Sequence, residues 1–324
     1  MRISSTEQFR QGIDSILDQQ AKLNRTQQQL ATGKKMLSPS DDPSAATQII
    51  KLSALIANNE QFDRNVGTAR NELEQQENVL ASSGNVLQRV RELAIQANNA
   101  TQSNQSRETI GDELQNLVDE LLQLSNTKNA SGEYIFSGYN SRTPAFAKSG
   151  TGYVFQGDQG QRLLQVADGT QLAVRDNGSD VFEGMRTGDG RFTLVSPATN
   201  TGGSLVTMTS TSDADQEDYV ITFSQANPDD DVIYSVIGSE SGAVSTGIYE
   251  AGAAFSFQGI TLEVEGAPGN GDSYQVNRSE RQGVFQTVRD IADSLLSDVN
   301  TPEQAAKLAN DLSQSLSTLD QALE

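Results

Sequence analysis

The sequence predicts an α+β fold, an elongated antiparallel helical rod or bundle interrupted by an inserted β-rich domain. Three observations predict it. Apolar residues recur at intervals of seven through about the first 130 residues, where Gln, Asn, Leu, Ala and Glu dominate and Pro39 and Pro43 are the only prolines. From 141 to about 280 the composition switches to Gly, Thr, Ser, Asp, Val and Phe, with turn signals such as "DNGSD", "ANPDDD" and "GAPGNGD". The helical pattern then returns from about 282 to 324.

Residues 1–40 read as a terminal coiled-coil helix with the seam Phe9, Ile16, Leu23, Leu30 and Leu37. Its companion positions are poor: Ile13 is apolar, but Gln20, Gln27 and Lys34 follow. A seam side chain contributes about 1.5–3 kcal/mol when buried, whereas each ordered residue costs about 1–2 kcal/mol of backbone entropy. This helix is therefore expected to be marginal alone and firm only against other helices. Gly33 reads as the residue that ends it, with Lys34 and Lys35 near the negative end of its dipole. Asp42 reads as the cap of the next helix, Asp41 as its solvated neighbour and Pro43 as the first helical residue, where no amide hydrogen bond is lost.

Residues 41–140 read as the N-terminal part of the rod. Leu52, Val66, Leu73, Leu80, Leu87 and Ala94 keep the spacing of seven with Asn59 as a polar gap, and Phe62, Ala69, Val90 and Ala97 supply a second stripe. A helix continuous to about residue 100 would be ~85 Å long. A third helix, at about 106–128, carries Ile110, Leu114, Leu117, Leu121 and Leu124. Residues 141–188 are expected to be a β-hairpin region of the rod, 189–280 an inserted outer domain, and 281–324 the closing helical part. In the last, Phe285, Val288, Ala292, Leu295 and Val299 precede a break at Pro302, after which Ala305, Leu312, Leu316, Leu319 and Leu323 follow.

Charge and composition narrow the function classes. A net charge of -20, from 43 acidic and 23 basic residues, repels nucleic acid and anionic membrane, so neither is expected as a partner. The absence of Cys removes disulfides and thiol chemistry, and the absence of His removes the usual neutral-pH base and the commonest transition-metal ligand. No enzymatic activity, cofactor or metal is expected. The N-terminal stretch lacks the apolar core of a signal peptide, and no segment approaches the ~20 apolar residues of a membrane helix.

The stretch "ATGKKMLSPSDDPSAA" holds a Gly-Lys-Lys and two adjacent carboxylates. A phosphate-binding loop would need a Gly at position 28, which is Gln28, and a Ser or Thr at position 35, which is Lys35. The helix-joint reading of Gly33, Asp41, Asp42 and Pro43 is therefore preferred. Calcium loops also fail: the stretch from Asp176 has Gly178 where an oxygen ligand is needed, and the stretch from Asp213 has Asp218 at its sixth position and Ser224 at its twelfth. In "LQRVRELAIQANNAT", Arg89, Arg91 and Glu92 read either as a solvated charged face or as a fixed set of charges that orients a neighbouring subunit.

These motifs resemble the flagellin superfamily. "LATGKKMLSPSDDPSAA" is similar to its N-terminal joint, and "LQRVRELAIQANNAT" to the rod-helix segment that contacts adjacent subunits. "SGEYIFSGYNSRTPAF" (131–146) and "YVFQGDQGQRLLQVADGTQLAVRDNGSDVFEG" (153–184) resemble the hook-associated branch rather than filament flagellin. Ala145 departs from the second proline common there, with little consequence expected.

The resemblance implies a structural junction protein that assembles as a ring between hook and filament through coiled-coil and rod packing. Filament flagellin is the alternative within the superfamily, and a surface adhesin or binding module the alternative from another class. The implied partners are copies of itself, a neighbouring hook-associated protein, flagellin, and an export chaperone acting through a C-terminal segment. Because 43 closing helical residues are short for a return along about 130 outgoing ones, the chain is expected to be clipped after 324. The implied location is extracellular, on the flagellum, reached without a cleavable signal peptide.

Overall fold

The computed structural model describes residues 5–212, 214 and 217–323. Helices and antiparallel sheets both contribute, which makes the chain an α+β protein. It divides into two compact units, one of residues up to 67 with 165–170, the other of 68–164 with 171 onwards.

The first unit contains helix α1, Ser5–Thr32, and the opening turns of α2, Pro43–Ala97. Leu37 thus lies beyond α1, and the seam predicted over five residues has four on the helix. Gly33 ends α1 in the left-handed region, at φ 64°, a conformation that a side chain disfavours. The unit also holds the tip of a hairpin between β3, Leu163–Ala167, and β4, Thr170–Ala173. Asn65 Nδ2 donates to the Gln165 carbonyl at that tip (2.7 Å).

In the second unit the rest of α2 packs with α3, Asn104–Ser125, α5, Val284–Leu295, and α6, Pro302–Leu323. The local chemistry sets each end. Ser103 caps α3 through the Ser106 amide (3.2 Å), and Arg107, buried, donates to the carbonyl of Ala97 at the end of α2 (3.3 Å). Thr301 and Gln304 bond each other's amides reciprocally (3.2 and 3.3 Å), a capping box that starts α6 with Pro302 in its first turn.

Of the two lines read from the sequence, the second stripe is the more fully buried along α2, and the leucine line is buried only in its later part, at Leu87 and Ala94. Ala69, Gln76, Ser83, Val90 and Ala97 are buried at intervals of seven, flanked by Val79, Val86 and Leu93. Leu73 and Val66 are exposed, and Leu80 is half-buried against the core. Gln76, 3% exposed, clamps Asp176: its amide donates to the carboxylate and its carbonyl accepts from the Asp176 amide (3.1 Å). A polar residue occupies the seam because its hydrogen bonds fix one incoming loop.

Beside it lies a buried cation. Arg175, 4% exposed, bonds Glu72 and Glu133 (both 2.8 Å), joining α2, the loop before β1 and the segment after β4. Burial pulls the guanidinium down, and the bonds to the two carboxylates more than offset it. The Arg175 bond likewise holds Glu133 below the usual carboxylate range. Above this node Phe136, Phe146, Phe182 and Phe285 form an aromatic cluster with ring centroids 4.9–5.7 Å apart. Strands β1, Phe146–Ser149, and β2, Gly152–Phe155, form a hairpin there, and short α4, Gly178–Phe182, starts at a cap made by Asn177 on the Ser179 amide (2.8 Å).

Strands β5, Met185–Arg186, and β14, Arg281–Gln282, pair where the chain enters and leaves a β-sandwich. One sheet has the order β10-β9-β8-β13-β6 and the other β11-β12-β7. Their members are β6 (Phe192–Val195), β7 (Leu205–Ser210), β8 (Tyr219–Ser224), β9 (Ile233–Gly238), β10 (Gly242–Ile248), β11 (Ala254–Phe257), β12 (Ile260–Glu265) and β13 (Ser273–Arg278). Alternation along the strands turns Phe192, Tyr219, Ile221, Phe223, Val236 and Tyr274 of the first sheet onto Val206, Phe257, Ile260, Leu262 and Val264 of the second.

Both sheets leave an edge strand, β6 and β7, against α6. Asn310, Gln314 and Thr318, one turn apart, accept from the amides of Val206 (2.9 Å), Leu194 (3.0 Å) and Gly188 (2.9 Å). Asn310 also donates to the Ser204 carbonyl (3.1 Å). The polar face of α6 thereby closes two edges that would otherwise offer free backbone groups, while Leu308, Leu312 and Leu319 enter the helical core.

Because Glu133 has a lowered folded-state pKa, the stability it contributes is fully present above about pH 5 and is lost as pH falls through the lowered value. Glu133→Gln is expected to lower the unfolding free energy at pH 7 by about 1–3 kcal/mol. It should also flatten the fall in stability between about pH 5 and 3. Urea titrations monitored by circular dichroism across that range measure both.

Candidate functional site

Among the described residues, no group of three or more carboxylates is placed to hold a metal ion, and no helix is long and apolar enough to cross a membrane. Asp176 is engaged by Gln76, and Asn177 caps α4, so the first calcium-like stretch is a helix start. In the second, Asp213 and Asp215 lie outside the described residues.

The candidate site is instead a pair of uncovered helix faces. On α1, Phe9 is 74% and Leu30 84% exposed, and Ile16 and Leu23 between them are also exposed. Ile13 and Leu17 widen the stripe. The first turns of α2 add Ile49, Ile50, Leu52, Leu55 and Ile56, all exposed. Of these only Leu52 stands on the line of seven read from the sequence. The run "QIIKLSALIA" is apolar around too much of the helix to register as a single seven-residue line, which hides its full width. Contiguous apolar surface of this kind is the feature that sets these faces apart as a candidate interaction site.

The joint between the two helices is ordered by Asp41. Its carboxylate accepts from the Leu37 amide (3.0 Å), the Ser38 amide (3.1 Å) and the Ser38 hydroxyl (3.1 Å), and pairs with Arg25 of α1 (2.6 Å). Those backbone bonds hold it below the usual carboxylate range. Asp41, predicted to be a solvated neighbour of the cap, is thus the organiser of the turn. Gln29 donates back to the Lys35 carbonyl (2.6 Å). Asp42 accepts from the amides of Ser44 (3.1 Å) and Ala45 (3.0 Å), and Pro43 opens α2 as its first residue.

Arg89, Arg91 and Glu92 are paired inside the chain. Arg89 bonds Glu113 of α3 (2.8 Å) and Glu92 (3.3 Å), and Arg91 bonds Asp320 of α6 (2.7 Å). Bonds to their carboxylate partners hold both arginines above the usual guanidinium value. All these side chains remain well exposed, so the pairs form a fixed charge pattern on the surface of the bundle. Arg175 and Gln76, which lock the same bundle from within, are not legible in the sequence. A lone Arg in a β-rich stretch and a Gln in a Gln-rich helix carry no distinctive signal.

Comparison with known proteins places this architecture. Residues 6–141 match the family described as the bacterial flagellin N-terminal helical region. The flagellar hook-associated protein 3 of Escherichia coli K12 is 31% identical over 185 residues, 57% of this chain and 58% of that protein. This chain therefore matches less than two thirds of that relative's length. A crystal structure of FlgL from Xanthomonas campestris matches with a TM-score of 0.77 and 34% identity, over 83% of this chain and 88% of that one. The hook-associated protein 3 of Legionella pneumophila matches with a TM-score of 0.82 and 31% identity, over 85% of this chain and 87% of that one. The fold thus comes with sequence identity above 30% across most of a solved relative, and the chain belongs to the FlgL family of flagellar hook-associated proteins, within the flagellin superfamily.

Proposed function

We propose that this protein is a non-enzymatic structural subunit of the bacterial flagellum that assembles as a ring at the junction between hook and filament. The observation that carries the reading is the match to FlgL over 83% of the chain, in a molecule whose α1 presents Phe9, Ile16, Leu23 and Leu30 with nothing over them. The inner wall of the ring is built by those four side chains, with Leu37 of the joint, when helices of adjacent copies stand together and bury them. Apolar side chains left in water on a helix contribute nothing to holding it, and side-by-side packing supplies about 1.5–3 kcal/mol for each one buried.

The remaining site residues act on orientation. Gly33, Asp41, Asp42 and Pro43 fix the turn from α1 into α2. Arg89, Arg91 and Glu92 present charges of set position to the neighbour; exposed pairs are weak in water, so they favour a register more than they add affinity. The chain works outside the cell, next to another hook-associated protein and flagellin, and an export chaperone holds it beforehand through a C-terminal segment.

Immunogold labelling of intact flagella tests the location: label confined to the hook–filament boundary is expected, and label along the whole filament or on the cell body would contradict the reading. Assembly through the α1 face is tested separately. Leu23→Asp with Leu30→Asp is expected to leave the purified chain folded, since both side chains are already exposed, yet to reduce incorporation into flagella at least tenfold by immunoblot. Normal incorporation and motility of the double variant would count against the face.

A further inference from the structure

The stretch "LASSGNVL" (80–87) of α2 borders a cavity of about 160 Å³ inside the helical body. Its wall is apolar, with Leu87, Leu121, Phe182, Met185 and Val284 all buried. Ser83 is the exception. It is 5% exposed, and its Oγ has no hydrogen-bond partner among the described residues, although a hydroxyl taken out of water normally finds one. Gly84 stands beside it at the half-buried rim, together with Leu80, Val181 and Ala322. A Cβ at Gly84 would meet nothing within 4 Å, so no close neighbour requires a glycine there. An interior glycine weakens a helix; here it keeps the rim open.

We infer that this cavity binds a small neutral molecule made of one aromatic ring and one hydroxyl, a simple phenol. Volume sets the size. A dry apolar cavity of about 150 Å³ takes up benzene, so the space beside Ser83 holds a single ring and excludes a second. The wall sets the chemistry. An ordered water needs about two to four polar partners, and among the described lining residues Ser83 alone is polar, so water is poorly held. No charged side chain lines the cavity, and an ionised ligand would give up its hydration with nothing in return. Phe182 and Met185 favour a ring over an alkyl chain, through edge-to-face contact and through the thioether sulfur. A hydroxyl on that ring then completes Ser83, whose own hydroxyl donates or accepts as it turns. The cavity lies within the covered body of the chain, so the inference does not rest on the assembly proposed above.

Fluorine NMR titration of the purified full chain tests this, with 4-fluorophenol and fluorobenzene as probes. The phenol is expected to saturate one site and to bind at least about threefold tighter than fluorobenzene, the worth of one net hydrogen bond. It should also raise the midpoint of thermal unfolding as its concentration rises. Ser83→Ala keeps the space and removes the hydroxyl, and is expected to abolish the preference between the probes. Ser83→Leu is expected to fill the space and weaken both probes at least about tenfold. Absence of saturable binding to the unaltered chain would overturn the inference. So would binding that Ser83→Leu leaves unchanged, which would put the ring on an exposed apolar face, or equal affinity for the two probes before and after Ser83→Ala. Should Ser83→Leu fail to fold, the comparison of the unaltered chain with Ser83→Ala decides alone.

Discussion

The structure depends on one imbalance: a single helix, α2, is covered along its second part and bare along its first. From Ala69 to Ala97 its inward positions are sealed by α3, α5, α6 and the loops that bear Arg175 and Phe182. From Ile49 to Val66 its large apolar side chains, the half-buried Phe62 apart, stand in water, as do those of α1. An amphipathic helix gains little stability from its own hydrogen bonds and much from burying its apolar face. The uncovered part of the chain is thus the part that gains least from its own packing. Under the function proposed above, that bare part is the face that packs against neighbouring subunits.

The body is made firm by polar groups placed where apolar ones would give no direction. Gln76 grips one backbone amide, and Arg175 ties three segments through two carboxylates. The Asn310, Gln314 and Thr318 row accepts from two edge-strand amides of the sandwich and from the Gly188 amide in the turn before β6. Each of these would be costly if left unpartnered, so each accepts one arrangement and rejects slippage. The joint follows the same logic. Asp41 draws three donors and Arg25 onto one carboxylate, which makes the turn after Gly33 a defined connection.

Much of this is legible in the sequence. The helix ends at Gly33, Asp42 and Pro302 follow from local stereochemistry, which the sequence states directly. The division into helical and β-rich stretches follows from composition and period. What the pattern leaves out is the polar members of the second stripe. Ala69, Val90 and Ala97 are named by their hydrophobicity, whereas Gln76 and Ser83, buried between them on the same line, are not. Small and amide side chains are needed there because a loop comes close, and closeness is a tertiary fact. Asp41 is underestimated for the same reason: its partners, Arg25 and two loop amides, meet it only in the folded turn. The sandwich topology is not readable, since alternation gives a strand's faces without its neighbours.

The most direct measurement of the central claim is amide hydrogen exchange of residues 5–32 in the purified chain and in isolated flagella. Exchange near the unprotected rate in the free chain, slowed at least a hundredfold on assembly, is the result this account predicts. Equal and strong protection in both would show that α1 already has its partner in the monomer, and would contradict it.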